Sequence, residues 1–197
     1  MKVKNNKNIW IFLAVAFVIY FFTAFYYNYQ AESTMASADL SDEERSMCDL
    51  NELDGDRLSL TVPPTYVNDA SQADLDAAAK ANGYESITLN ENGSATYVIT
   101  KAQHLEMLDK LSQGIREKMA SIPGNGSYKN ITSVDSDDDF TEFEIHTKVD
   151  KLSDKESMSA INLKLLSTMY HAFKGEGNAP FAVVYYGKDG SVIAKTD

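Results

Sequence analysis

Cysteine is almost absent from this sequence. Cys48 is the only cysteine among 197 residues, so no disulfide can form within the chain and packing must supply the stability. Cys48 could still link two chains, but we interpret it as an incidental free thiol because the sequence offers it no partner. It lies well beyond the end of the apolar N-terminal run, behind Arg45, which does not fit a lipid-modified cysteine.

Recognisable catalytic, metal-binding and nucleotide-binding motifs are also missing. The sequence has no G-x-S-x-G, no glycine-rich phosphate loop between a strand and a helix, and no zinc spacing around its three histidines, His104, His146 and His171. We interpret His104 and His171 as surface or cap-adjacent residues of helices. The sequence therefore predicts no catalytic residue, no cofactor and no metal ligand.

Four aspartates fall in one turn, at Asp135 and at residues 137–139. Such a cluster could hold a hard cation through oxygen ligands. However, Phe140 occupies the position where a calcium loop requires glycine, and His146 stands at the twelfth position in place of glutamate. We therefore predict a solvated hairpin turn.

Positive charge is scarce in most of the chain. The formal net charge is −11, and residues 57–197 contain twenty acidic side chains against fourteen basic ones. Nucleic acids are bound mainly through basic side chains that contact phosphates. We therefore expect no nucleic-acid partner.

Charge of either sign is absent from residues 9–29, which read IWIFLAVAFVIYFFTAFYYNY. At about 1.5 Å per residue these 21 residues form a helix of about 31 Å, close to the hydrocarbon thickness of a bilayer. Three lysines precede the segment and acids follow it. Because lysine-rich flanks stay cytoplasmic, the pattern predicts a transmembrane anchor with the C-terminal part outside the cell membrane.

Two alternatives to an uncleaved anchor remain open. Ala36-Ser37-Ala38 fits the cleavage site of a secretory signal, although the apolar run is longer than such signals have. A buried core helix is the other alternative, although few core helices stay apolar on all sides over this length. We predict a basic cytoplasmic segment at 1–8, the anchor at 9–29, an acidic flexible stalk at 30–57 and one extracytoplasmic domain at 58–197.

The domain reads as a strand followed by three repeats of helix and hairpin. Residues 58–62 alternate as a half-buried strand, and hairpins are expected at residues 84–99, 128–149 and 181–194. Three helices should start at capping boxes, which are Ser71 with Asp74, Thr100 with Gln103, and Ser153 with Glu156. This order predicts an α+β fold, in which one antiparallel sheet made from three hairpins carries three helices on one face.

Helical spacing also predicts which residues are buried. The second helix should bury Ala102, Leu105, Leu108, Leu111, Ile115 and Met119, and the third should bury Met158, Ile161, Leu165, Met169 and Phe173. In the strand at 140–149, Phe143 and Ile145 should face the core. Glu142, Glu144, His146 and Lys148 should lie on a solvated face.

A resemblance to known proteins rests on two segments, residues 75–84 (LDAAAKANGY) and residues 88–104 (TLNENGSATYVITKAQH). They resemble uncharacterised secreted or lipoprotein-type domains of Gram-positive bacteria, over roughly residues 58–195 in element order. The resemblance implies a bacterial cell-surface setting, and it implies no activity. This chain differs from the lipoprotein pattern because it has a long anchor in place of a lipidated cysteine.

The sequence thus favours an extracytoplasmic domain that binds a protein or an envelope component, and leaves the oligomeric state open. Two alternatives remain: a hydrolase without a recognised motif, using Glu144 and His146, and a self-associating structural surface protein. Tyr170, Tyr185 and Tyr186 could supply contact area for a partner. Packing in the core or on the sheet is the more common role of such tyrosines.

Overall fold

The computed structural model describes residues 40–126 and 128–196. The α+β class is confirmed, because these residues form two four-stranded sheets together with several helices. The predicted transmembrane anchor at 9–29 lies outside the described residues. Within the described ranges, no helix combines the length and the apolar character needed to cross a membrane.

The helices are named here in chain order. They are α1 (Asp42–Ser46), α2 (Gln72–Asn82), α3 (Lys101–Ser121), α4 (Asp154–Ser157) and α5 (Ser159–Lys174), with a 3-10 turn at Pro64–Tyr66. The three predicted capping boxes are confirmed at the starts of α2, α3 and α4. Helices α2 and α5 end at glycines in the left-handed conformation, Gly83 and Gly175, where a side chain would be strained.

Sheet A contains the first four strands. They are β1 (Asp49–Glu52), β2 (Arg57–Val62), β3 (Ser86–Leu89) and β4 (Ala95–Thr100), in the spatial order β1-β2-β4-β3. All neighbours are antiparallel. The first predicted hairpin is therefore confirmed as β3 and β4, and β4 pairs on its other side with the predicted strand β2.

Sheet B contains the remaining strands. They are β5 (Ile131–Ser136), β6 (Glu142–Thr147), β7 (Ala182–Tyr186) and β8 (Val192–Thr196), in sequence order across the sheet. The pairs β5–β6 and β7–β8 are the two other predicted hairpins. Strands β6 and β7 are parallel, because α4 and α5 carry the chain back across the sheet between them.

The prediction of one antiparallel sheet with helices on one face is therefore wrong. The hairpins form as expected, but they divide between two sheets, and one strand pair is parallel. Local turn and cap residues determine each hairpin. They carry no information on which hairpins lie beside each other, because that depends on how the long helices pack.

The prediction of a flexible stalk is wrong for residues 40–57. Helix α1 starts at a fourth capping box, Ser41 with Glu44, and β1 extends the edge of sheet A by pairing with β2. Few large apolar side chains occur here, and the composition therefore indicated disorder. Backbone pairing and the burial of Leu40 supply the order that composition does not reveal.

One hydrophobic core spans both sheets. Helix α3 packs on β2 and β4 of sheet A, on β5 of sheet B and on α5. Its predicted stripe is confirmed at Leu111, Ile115 and Met119, whereas Leu108 is half-buried and both Ala102 and Leu105 are exposed, Leu105 by 65%. Helix α3 thus joins the two halves of the domain.

Helix α5 differs from its predicted pattern. The expected third helix breaks at Met158 into α4 and α5, and α5 is buried over most of its circumference. Of the predicted stripe only Met169 is buried. The buried set includes polar residues that a two-sided pattern does not anticipate, namely Ser159, Ser167, Thr168 and His171.

Candidate functional site: an aromatic cleft on sheet A

An apolar cleft lies between α2 and α3. Strands β3 and β4 of sheet A supply Ile87 and Tyr97, and the end of α5 supplies Phe173. The cleft encloses about 190 Å³. We call it the aromatic cleft, and its apolar lining consists of Tyr66, Val67, Ala70, Leu75, Ala78, Tyr84, Ile87, Tyr97, Met107, Leu111, Met169 and Phe173.

Four aromatic rings form a continuous series along the cleft. The centroids of Tyr84 and Tyr97 are 6.3 Å apart, those of Tyr97 and Phe173 are 6.2 Å apart, and those of Phe173 and Tyr66 are 6.0 Å apart. The first two pairs meet edge to face, an arrangement that aromatic rings favour. Rings fixed by one another make a rigid wall, which can bind a ligand with little loss of side-chain entropy.

Small side chains leave the space that these rings line. Ala70 and Ala78 face the cleft from the segment containing α2, where larger apolar residues would fill it. Helix α2 packs on β3, whereas α3 packs on β2 and β4. The two helices thus stand on different strands of the same sheet, with the cleft between them.

Polar side chains surround the apolar part of the cleft. They are Asp74, Asn82, Gln103, Glu106 and Lys110. Most are already engaged: Gln103 Nε2 donates to Gly83 O at 2.8 Å, and Lys110 Nζ lies 2.7 Å from Glu106 Oε1. The bond from Gln103 also ties the start of α3 to the end of α2, which fixes the width of the cleft.

Tyr84 and Tyr97 bring phenolic hydroxyls to the lining of the cleft. Burial, followed by the neighbouring Tyr84, raises the pKa of Tyr97 to about 12. Burial and the nearby Glu106 also raise the pKa of Tyr84. Both phenols are therefore neutral near pH 7, so they can donate a hydrogen bond to a ligand but cannot act as a base.

Comparisons with protein family models, with curated proteins and with solved structures produced no match to this chain. The function must therefore be argued from the chemistry of the sites.

The structure brings Glu144 and His146 together on the solvated face of β6, as predicted. His146 Nε2 lies 4.0 Å from Glu144 Oε2, and the His146 ring stacks on Tyr186 with centroids 4.8 Å apart. Neither residue lines the aromatic cleft. Both side chains are about two-fifths exposed on this solvated face, whereas acid and base groups of an active site are usually held in a concave pocket.

The interpretation of His104 and His171 as surface or cap-adjacent residues is wrong with respect to burial. They are 6% and 3% exposed. His104 does lie near the start of α3, but its Nε2 is 2.8 Å from Phe173 O at the end of α5. His104 is buried where α3 packs on α5, and His171 is buried beside Arg45 and the segment at 177–181.

The acidic turn is held by hydrogen bonds and ion pairs of the domain. Asp137 accepts bonds from Thr141 N at 2.7 Å and Glu142 N at 3.0 Å, and Lys174 Nζ lies 3.0 Å from Asp139 Oδ1. Phe140 adopts a positive φ of 58° while being fully buried. In the described part of the chain, no three His, Cys, Asp or Glu side chains are placed to hold a metal ion.

The remaining candidates are packing residues. Tyr170 and Tyr185 are buried in the core, and Tyr186 stacks on His146, so the preferred interpretation of these tyrosines is confirmed. Burial, the largest effect, raises the pKa of the Cys48 thiol to about 11. The thiol is therefore a poor nucleophile near pH 7.

Sequence reasoning did not find the aromatic cleft. Tyr84 and Tyr97 looked like ordinary residues of a hairpin, and Phe173 like part of a helix stripe. These residues are distant in sequence, and only the packing of α5 against sheet A brings Phe173 beside Tyr97. The one local signal is the alanine-rich α2, because small residues on a packed helix can leave space.

Proposed function

We propose that this protein is a single-pass membrane protein whose extracytoplasmic domain binds a compact, largely apolar ligand in the aromatic cleft. The observation that carries the proposal is the cleft itself, about 190 Å³ of space walled by aromatic side chains. Concave, mostly apolar cavities with a few polar groups are the usual form of small-molecule sites.

The membrane part of the proposal depends on residues 9–29. This segment has no charge, it follows three lysines and it precedes an acidic stretch, the pattern expected of an anchor with the domain outside. The resemblance to secreted domains of Gram-positive bacteria adds a cell-surface setting to the proposal. A binding domain held there would meet its ligand in the envelope or the medium.

Volume and chemistry limit the ligand. An engineered apolar cavity of about 150 Å³ binds benzene, so the aromatic cleft suits a single ring with a small substituent. Of the charged lining residues, Glu106 and Lys110 pair with each other and Asp74 caps α2, whereas the Tyr97 hydroxyl can donate one hydrogen bond. A neutral aromatic or alicyclic group with one acceptor oxygen fits both features.

Two probes of equal size test the proposal: toluene and phenol, added to the full-length chain in lipid nanodiscs. The readout is the thermal midpoint of the domain, followed by circular dichroism. At tenfold excess over Kd, binding stabilises by about 1.4 kcal/mol. For a domain of this size we expect the midpoint to rise by about 3–6 °C.

Ala78→Phe and Ala77→Phe form a matched pair. Ala78 lines the cleft, whereas its neighbour Ala77 is exposed on the same helix. The ring added at Ala78 should fill the cleft and abolish the response to both probes. The ring added at Ala77 should leave the response unchanged, and equal responses in the two variants would refute the cleft as the site.

Tyr97→Phe guards against misfolding in Ala78→Phe. It removes only a hydroxyl, so toluene should bind as in the wild type. Loss of one hydrogen bond, about 0.5–1.5 kcal/mol, should weaken the binding of phenol by roughly 2- to 10-fold. If the affinities for phenol and for toluene change by the same factor, the Tyr97 hydroxyl does not contact the ligand.

A further inference from the structure

A second cavity lies on the opposite flank of α5 from the aromatic cleft residue Phe173. It encloses about 120 Å³ between α5, the segment at 177–181 and Arg45 of α1. Its lining is Arg45, Lys164, Ser167, Thr168, His171, Gly177, Ala179 and Phe181. It shares no lining residue with the aromatic cleft.

Helix α5 supplies a polar row to this cavity. Lys164, Thr168 and His171 are spaced at i, i+4 and i+7, which places them on one face of a helix. Thr168 and His171 are buried, and Lys164 Nζ lies 5.9 Å from the centroid of the Phe181 ring. Burying a polar side chain in the core costs free energy unless the side chain forms hydrogen bonds.

Arg45 enters the cavity from the N-terminal segment. Its Nε donates to Leu40 O and its Nη1 donates to Gly177 O, each at 3.1 Å. A guanidinium stays charged at every relevant pH. Two backbone carbonyls thus fix a permanent positive charge in the cavity wall.

Contact with Glu176 holds the His171 ring in one orientation. Its Nδ1 lies 3.1 Å from Glu176 Oε2, whereas its Nε2 is buried and has no hydrogen-bond partner among the residues the structure describes. A buried polar atom without a partner costs free energy. A bound ligand that hydrogen-bonds Nε2 would remove that cost.

We propose that this cavity binds a small oxyanion, namely a phosphate or carboxylate group. Three of its eight lining residues can carry positive charge and none is acidic, although the whole chain has a formal net charge of −11. Arg45 and Lys164 supply the charge, and the Thr168 hydroxyl and the buried His171 ring are placed to hydrogen-bond the anion.

The volume agrees with a ligand of this size. A water molecule takes about 30 Å³ in the liquid, so 120 Å³ accommodates one phosphate or carboxylate group and leaves no room for a large molecule around it. The site is independent of the proposed function, because the aromatic cleft has no part in it.

The test uses the full-length chain in nanodiscs of zwitterionic lipid at pH 7. Sodium phosphate and sodium acetate are compared with sodium chloride at equal ionic strength, and Kd is derived from the thermal midpoint. Lys164→Met removes one cavity charge. Lys155→Met removes the same charge from α4, where Lys155 is exposed and lies outside the cavity.

We expect at least one of the two oxyanions to stabilise the wild type more than chloride does. Lys164→Met should raise its Kd at least tenfold, whereas Lys155→Met should leave it within twofold. Preference for phosphate or for acetate identifies the oxyanion. Phosphate also stabilises proteins by general exclusion from their surface, but that effect is the same in both variants.

Thr168→Val keeps the shape of the side chain and removes only the hydroxyl, so it serves if Lys164→Met fails to fold. We expect it to raise the Kd about threefold or more. The proposal is overturned if the wild type responds to neither oxyanion beyond chloride, or if Lys164→Met and Lys155→Met respond alike. Ala78→Phe should not alter the response, which separates this test from that of the aromatic cleft.

Discussion

Removal of the Glu156 carboxylate should destabilise the domain far more than its place in a short helix suggests. Glu156 is 1% exposed. Its Oε2 accepts bonds from Ser153 N at 2.9 Å and Ser153 Oγ at 2.8 Å, which form the capping box of α4. Its Oε1 accepts from Asn130 N at 3.1 Å. The same carboxylate therefore caps α4 and fixes the chain just before β5.

The magnitude follows from the groups left behind. A hydrogen bond to a charged group contributes about 1.5–3 kcal/mol, and a buried donor without a partner costs about 1–3 kcal/mol. Glu156→Ala removes all three bonds and leaves the Asn130 amide without its acceptor. Because the bonds share one carboxylate they are not additive, and we expect a loss of about 3 kcal/mol. The thermal midpoint should fall by about 6–12 °C.

The effect should depend on pH. Burial alone would raise the pKa of Glu156, but the bonds from Ser153 and Asn130 outweigh burial and hold it below the ordinary value of 4.5. A carboxyl with a lowered pKa in the folded state stabilises the protein above its unfolded pKa, and this stabilisation is lost as pH falls through the folded pKa. The difference in free energy of unfolding between the wild type and Glu156→Gln should therefore be largest at pH 7 and should shrink below about pH 4.5.

The assay is thermal unfolding of the full-length chain in nanodiscs, from pH 7 to pH 3. Asp74→Ala is the control, because Asp74 holds the same position in the capping box of α2 but is exposed, and among the described residues its carboxylate bonds only Ser71. Asp74→Ala should lower the free energy of unfolding clearly less than Glu156→Ala does. Equal losses for Glu156→Ala and Asp74→Ala, or a Glu156→Gln effect that does not change with pH, would refute the reasoning.

Two further predictions concern packing and topology. A Cβ at Gly177 would lie 2.1 Å from Arg45 O, so Gly177→Ala should destabilise the domain by about 2–3 kcal/mol. Gly126→Ala is the control and should have little effect, because a Cβ there meets nothing within 4 Å. Equal thermal midpoints for the two variants would contradict this prediction. Protease added to intact cells should digest the domain if residues 9–29 anchor it outside, and a domain that survives on intact cells but is digested after lysis would contradict the predicted orientation.

The two cavities contrast in chemistry. The aromatic cleft has an apolar wall with neutral phenols, whereas the cavity beside α5 has a polar wall with cationic groups. Helix α5 contributes to both, through Phe173 and Met169 on one side and through Lys164, Thr168 and His171 on the other. Helix α5 therefore faces other parts of the domain on both sides, and it is buried over most of its circumference.

Local features of the fold could be predicted from the sequence because they depend on residues close together in the chain. The capping boxes at Ser71, Thr100 and Ser153 and the stop at Gly83 were correct, because a side chain bonding a backbone amide three residues away needs no tertiary contact. The alternation of Phe143 and Ile145 with Glu142 and Glu144 was correct for the same reason.

Pairing and burial between distant segments could not be predicted in this way. Composition indicated disorder at 40–57, but β1 is ordered by its hydrogen bonds to β2. His104 and His171 were interpreted as surface or cap-adjacent residues, but α5 covers His104, and the segments with Arg45 and residues 177–181 cover His171. Each outcome depends on what another element covers, which no local pattern specifies.

The sequence by itself determined the α+β class, the hairpins, the helix starts and the excess of acidic charge, because propensity, turn chemistry and composition act locally. Only the tertiary structure decided that the hairpins divide between two sheets, that β6 and β7 run parallel, and that Tyr84, Tyr97 and Phe173 meet in one cleft. The physical reason is that the free energy of burial depends on which surfaces exclude water together, and the surfaces that meet here are far apart in the chain.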